Sequence, residues 1–294
     1  MAKTDILRRL GEAEAAAGAL PALQIAALKV AATVAQGVHG RRRVGVGDSF
    51  WQYRRYQPGD PLRRVDWRRS AKSHELFVRE LEWEAVHSVW MWRDGSPSMA
   101  WSSSKALPQK RERAELLLLA LAALLERGGE HIGLLGGPSP LGGPTALERL
   151  ARALQEESSD SDLPPPQRLP RHAQVVWFSD FLDPLPALRA AVAEMAERGV
   201  VGHLVHILDP AEADLPFAGR VRFDGLEGEA SELVPRVETI RDAYRRKLAE
   251  LQDGLAEITR RAGWSLLLHR TDRPPETALL ALYGRLGGAT GRGA

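Results

Sequence analysis

The strongest constraint on this sequence is an alternation of short apolar runs and amphipathic stretches that begins after Glu84. Ser88 to Trp92, His131 to Leu135, His172 to Phe178, Val200 to Leu208 and Trp264 to His269 are apolar runs of strand length. Helix patterns separate or follow them: Gln109 to Arg127, Ala146 to Gln155, Leu185 to Arg198 and Pro275 to Leu286. The clearest helix precedes the last strand, where Val237, Ile240, Tyr244, Leu248, Leu251, Leu255 and Ile258 recur every three or four residues. Strands that are apolar throughout and are joined by helices need cover on both faces. Residues 85–290 are therefore predicted to be an α/β domain, a doubly wound and mainly parallel sheet of Rossmann-like type.

Two different segments precede that domain. Residues 1–39 are rich in Ala, Leu and Glu, carry Leu20, Leu23, Ala27 and Val30 at helical spacing, and end at Gly37 and Gly40, which predicts an N-terminal helical segment. Residues 40–84 lose this period. Gly45, Gly47, Pro58, Gly59 and Pro61 punctuate them, and Phe50, Trp51, Tyr53, Tyr56 and Trp67 stand among arginines, so short strands and ordered loops are expected, with a strand near Leu76 to Val78. Glu156 to Pro170, with Pro164-Pro165-Pro166, reads as a solvated loop. Leu116 to Leu125 is apolar all round, the pattern of a helix sandwiched in a core.

Composition removes several functions. With no Cys there is no thiol nucleophile, redox pair, cysteine zinc site or iron–sulfur cluster. The run Leu116 to Leu125 falls short of the roughly 20 residues that span a bilayer, and Met1-Ala-Lys-Thr-Asp5 lacks a signal-peptide core, so a cytoplasmic chain without a membrane span is expected. Net charge is only +2, yet ten Arg or Lys stand against three acids between Arg41 and Lys72. Arginines there could contact phosphate and the aromatics could stack on bases. Tyr56, Asp60, Asp66 and Trp67 equally suit internal ion pairs and cation–π packing, and packing or partner docking is the preferred role over nucleic acid.

In an open α/β sheet the functional crevice lies at the carboxyl ends of the strands. Asp94-Gly95-Ser96-Pro97-Ser98 follows the first strand, Ser179-Asp180 follows the third, and Gly142-Gly143-Pro144-Thr145 lies between them before a helix. Carboxylate and hydroxyl oxygens without sulfur suit a hard divalent cation such as Mg²⁺. The plain alternatives are a turn in which Asp94, Ser96 and Ser98 bond local backbone, a helix-capping Thr145, and a capping Asp180 before Pro184.

The order Asp94-x-Ser96-x-Ser98, a later Thr and a later Asp resembles the metal-ion-dependent adhesion site of a von Willebrand factor A-like domain. More specifically, Arg54-Arg55-Tyr56-Gln57-Pro58-Gly59-Asp60, Val65-Asp66-Trp67-Arg68-Arg69-Ser70-Ala71 and Val78-Arg79-Glu80, leading into the strand before Asp94, resemble the bacterial DUF58 family over about Gly40 to Leu286. The resemblance implies a non-enzymatic scaffold with a von Willebrand factor A-like fold, acting with a MoxR-type AAA+ ATPase in the assembly or maturation of a client protein. It implies Asp94, Ser96, Ser98, Thr145 and Asp180 as ligands of Mg²⁺ or another divalent cation. Arg54, Arg55, Arg68 and Arg69 of the basic block are the expected partner-binding residues. A metal held by two carboxylates and hydroxyls keeps residual positive charge, to which a partner's acid could dock.

Enzymatic readings fare worse. Gly47-Asp48-Ser49-Phe50 resembles the nucleophile block of GDSL hydrolases, but no histidine has the required Asp three residues before it. A phosphotransfer motif at Asp94 would need a second Asp where Ser96 stands, and Gly45-x-Gly47 lacks the third Gly and the Lys of a phosphate loop. His203 and His206, three apart in a strand, point to opposite faces and do not readily share an ion. A nucleic-acid-binding protein using the basic block and a hydrolase of unrecognised type remain the alternatives.

Overall fold

The computed structural model describes residues 27–35, 50–56, 70, 76–81, 88–143, 145–156, 162–226 and 230–289. The chain divides into two compact units, Gly40–His87 and the remainder. In the small unit, strand β1 (Phe50–Arg55) pairs antiparallel with β2 (Phe77–Leu81). The hairpin is extended by a bond from the Tyr56 amide to the Leu76 carbonyl, and the buried Ser70 hydroxyl accepts the Phe77 amide at 2.9 Å. The helix expected over residues 1–39 is described only at residues 27–35, which are helical; the rest of it lies outside the described residues.

The large unit is built on a five-stranded sheet of order β4-β3-β5-β6-β9, parallel throughout. Its strands are β3 (Ser88–Arg93), β4 (His131–Leu134), β5 (Gln174–Ser179), β6 (Val201–Leu208) and β9 (Ser265–Arg270). Helices α1 (Lys110–Arg127), α2 (Ala146–Glu156), α3 (Leu185–Glu197), α5 (Arg241–Ala262) and α6 (Pro275–Ala289) flank it. The doubly wound α/β expectation therefore holds. Three elements had no clear signal in the sequence: the five-residue α4 (Pro210–Asp214) and the hairpin of β7 (Val221–Phe223) and β8 (Glu232–Val234).

Burial explains the apolar helix. Leu117, Leu118, Leu119 and Leu121 of α1 are buried on every side in one cluster with Val89, Met91 and Val176 of the sheet, Leu150 and Leu154 of α2, Leu279 and Leu282 of α6, and Ala27, Val30 and Val34. The opposite sheet face carries an indole layer. Trp92 meets Trp177 edge-on at 6.3 Å, and Trp177 meets Trp264 at 5.4 Å. Such pairs add about 0.5–1.5 kcal/mol beyond area burial. Gly202 of β6 is required beneath Trp264, since a Cβ there would lie 2.1 Å from the indole ring. In α5 the periodic pattern runs one turn too far: Val237–Thr239 form a 3-10 turn, and Val237 is buried with Leu215 and Val234 beneath the β7–β8 hairpin.

Three histidines are sealed into this body. Burial brings His203, His206 and His269 each down to about 4, and His203 shares a 2.8 Å hydrogen bond with Ser265. A histidine held neutral contributes stability above its ordinary value of 6.5, and that contribution is lost as pH falls toward 4. Urea midpoints should therefore drop between pH 7 and pH 4.5, and His203→Gln should flatten the slope by on the order of one proton's linkage. Parallel pH profiles for wild type and variant would contradict this.

Candidate functional site

Chain order creates the site. From β3 the chain moves outward to β4, then crosses back to β5 on the other side of β3. The loops after β3 and β5 consequently diverge at a topological switch point, where open α/β sheets form their crevices. The β3–β5 ladder continues one residue past β3, with the Asp94 amide donating to the Phe178 carbonyl at 2.9 Å. Asp94 is thereby placed beside Ser179 and Asp180.

The side chains converge there. Ser179 Oγ donates to Asp94 Oδ2 at 2.6 Å, and the Ser96 amide donates to Asp94 Oδ1 at 2.7 Å. Ser96 and Ser98 share a hydroxyl bond of 2.9 Å, and Ser98 Oγ donates to Asp180 Oδ2 at 2.7 Å. Asp94, Ser96, Ser98 and Asp180 are all buried and line a depression of about 130 Å³, together with Asp162, Asp183 and the exposed Leu182. Asp94 thus makes the local backbone bond of a turn and also joins the cluster. Asp180 is no helix cap, since Pro184 precedes α3 without a side-chain bond. Phe181 holds the turn in a left-handed conformation at φ 53°, costly for a bulky residue, with its amide on Ser179 Oγ at 2.8 Å and its ring edge-on to His206.

A cation is already built in. Lys110, the first residue of α1, is completely buried; its Nζ donates to Asp180 Oδ2 at 2.7 Å and also to Glu212 of α4. Burial pulls the Lys110 ammonium down, but the charges and hydrogen bonds of Asp180 and Glu212 outweigh it and hold it above its ordinary value. Glu212 is pushed up by burial, only partly offset by Lys110. Asp94 has no cationic partner among the described residues. Its burial lifts it to about 6 against the hydrogen bonds of Ser179 and Ser96, with Asp180's charge adding to the rise. Arg111, the next residue, clamps the turn through the carbonyls of Gly95 and Ser96.

Thr145 does not join this group. After β4 the chain doubles back along its edge, with Leu141 bonded to Ile132 in both directions at 2.9 Å and Gly142 packed under His131. His131 pairs with Ser88, six residues or about 20 Å of strand below Asp94. Helix α2 then runs upward, so that Leu154 near its end accepts Arg93 at 3.3 Å. Thr145 is exposed at its start, toward the amino ends of the strands. The edge-covering strap, which shields β4 from stray pairing, moved this helix start away from the rim.

Comparison with known proteins agrees with the basic block. The family described as "Protein of unknown function DUF58" matches residues 52–253. The chain belongs to the DUF58 family. Uncharacterized proteins of Mycobacterium tuberculosis and Mycobacterium bovis are 28% identical to it over 276 residues, covering 87% of this chain and 85% of theirs. The crystal structure of conserved hypothetical protein BatB from Bacteroides thetaiotaomicron is similar at a TM-score of 0.37 and 13% identity, covering 70% of this chain and 99% of that one. Within the DUF58 match lie Asp94, Ser96, Ser98, Lys110, Asp180 and Glu212. Arg54 and Arg55 belong to β1, whereas Arg68 and Arg69 lie outside the described residues.

Lys110 and Glu212 were missed by the sequence reading, though both left a signal. Lys110 and Arg111 stand in the first turn of a helix, where the dipole disfavours cations, so something else must hold them there. Asp209-Pro210-Ala211-Glu212 directly after a strand is a capping box with Pro at the first helical position. Asp209 accepts the amides of Ala211 at 2.8 Å and Ser103 at 3.0 Å, tying the end of β6 to the loop before α1. Ser179→Ala would strip Asp94 of a donor and the Phe181 amide of its acceptor. A loss of about 2 kcal/mol in urea unfolding is expected, against little change for Ser104→Ala on the exposed loop. Equal stabilities would show that the Ser179 bonds are not part of the fold's support.

Proposed function

We propose that this DUF58 protein is a non-enzymatic interaction module whose docking centre is a von Willebrand factor A-like adhesion site at the switch-point rim. The observation that carries the reading is the meeting of Asp94, Ser96, Ser98 and Asp180 oxygens in one small depression. Its chemistry fits a hard divalent cation. Asp94, lifted to about 6 by burial, gains from a nearby positive charge, and carboxylates and hydroxyls are the oxygen donors such ions take. Asp94, Ser96, Ser98 and Asp180 would hold the ion, with Thr145 outside the set. When bound, the ion supplies a hard electrophilic position at which a partner's Asp or Glu can complete the coordination.

The protein's own groups favour binding over turnover. Ser98 and Ser179 spend their hydroxyl protons on carboxylates, and His206, the nearest buried histidine, faces Phe181. Those bonds join the two loops, and Ser179 Oγ also accepts the Phe181 amide, so the hydroxyls serve to hold the rim together. The wall formed by Leu182 gives a docking partner apolar contact beside the charged centre. Following the family resemblance, the partner is a MoxR-type AAA+ ATPase, and the joint task is assembly or maturation of a client protein.

Purified MoxR-type ATPase from the same organism, immobilised and titrated with this protein, tests the proposal. Binding should weaken on the order of tenfold or more in Asp94→Ala and in chelator, as loss of a charge-assisted contact implies, while Thr145→Ala binds like wild type. Binding that survives both Asp94→Ala and chelator would refute metal-assisted docking. Salt-sensitive retention of DNA or RNA in place of the ATPase would favour a nucleic-acid role.

A further inference from the structure

Resting on the reading of the rim as a cation site, the geometry points to Lys110 as its resident counter-ion: a positioning residue that keeps Asp180 and Glu212 assembled without metal and makes a divalent ion compete for Asp180. Three features of Lys110 converge on it. Lys110 is completely buried, although lysine is almost never so unless paired. Its ammonium lies 2.7 Å from Asp180 Oδ2, the oxygen that Ser98 also donates to, so one of the proposed ligand oxygens already carries a cation and a hydroxyl. The same ammonium reaches Glu212, whose other oxygen accepts the Asp209 amide at 2.9 Å in the cap of α4.

Lys110 consequently links three carboxyl-end loops. Asp180 follows β5, Glu212 follows β6, and Ser103, bonded to Asp209, leads into α1 from the loop that bears Ser96 and Ser98. A side chain that served only packing would need no carboxylate at its tip, and an ion pair that served only the surface would be exposed. The charge state follows from simple counting. With Lys110 in place the Asp180–Glu212 pair is half neutralised, and an ion drawn to Asp94 competes with the ammonium for Asp180. Without Lys110 the buried Asp180 and the half-buried Glu212 lose the cation they share, and a divalent ion becomes its natural replacement. The wild-type rim is then a weak cation site that stays folded when empty, suited to reversible docking.

Lys110→Met removes the ammonium with little change in length. Full-length wild type, Lys110→Met and the charge-balanced double variant Lys110→Met/Glu212→Gln are compared by thermal unfolding and by Mn²⁺ titration followed by electron paramagnetic resonance. Mn²⁺ should raise the melting temperature of both variants and leave that of wild type nearly unchanged, and the variants should bind Mn²⁺ on the order of tenfold more tightly or better, since a neighbouring positive charge has been removed. The double variant keeps the test open if the single one does not fold. Equal Mn²⁺ affinity in wild type and variants overturns the role of Lys110 while leaving the adhesion-site reading intact. No Mn²⁺ binding in any of the proteins overturns both. Improved variant binding without cation-dependent ATPase docking by wild type upholds the Lys110 role and removes the docking proposal.

Discussion

Everything at the candidate site depends on the parallel pairing of β3 with β5. The two strands are 80 residues apart in sequence, yet their ladder runs from Val89–Gln174 to Arg93–Phe178 and is prolonged by the Asp94 amide on the Phe178 carbonyl. A slip of one residue would turn Trp92 and Trp177 off their shared face and separate Asp94 from Ser179. The indole layer on one face and the α1 leucines on the other therefore do more than stabilise. They fix the register that brings Asp94 and Asp180 to one rim, at the point among the described strands where successive connections part in opposite directions.

Buried charge at that rim has to be balanced, and the molecule does so unevenly. Asp180 and Glu212 share the ammonium of Lys110; Asp94 relies on the Ser179 hydroxyl and the Ser96 amide. Removing water from carboxylates is costly enough that a single unpaired partner destabilises strongly, which makes the arrangement sensitive to any added cation. The left-handed Phe181 fits the same picture of a turn held under strain by its surroundings: its ring is buried against His206 while Leu182, next in sequence, stands exposed.

Much of this was legible in the sequence because burial writes itself as pattern. The five central strands are apolar on both faces and bounded by polar residues, so their places could be read without contacts, and the carboxyl-end rule then singled out Asp94, Ser96, Ser98 and Asp180. Thr145 misled because the rule assumes that a loop before a helix lies at the rim. The Leu141–Ile132 pairing, a tertiary choice with no local signature beyond an apolar residue among glycines, reversed the chain first. The β7–β8 strands of three residues each are too short to show alternation, and Val237 continued a helical period that the backbone breaks with a 3-10 turn. Lys110 was hidden for another reason. Its partners lie 70 and 102 residues away, and only its unfavourable place at a helix start hinted at them.

The most direct measurement of the central claim is paramagnetic broadening by Mn²⁺ in an amide-resolved NMR spectrum of the wild-type protein, which registers weak binding as well as strong. The account expects the amides of Ser96, Ser98, Asp180 and Phe181 to broaden together at the lowest Mn²⁺ additions while Thr145 stays sharp. Broadening confined to one of the two loops, or centred on Thr145, would contradict it.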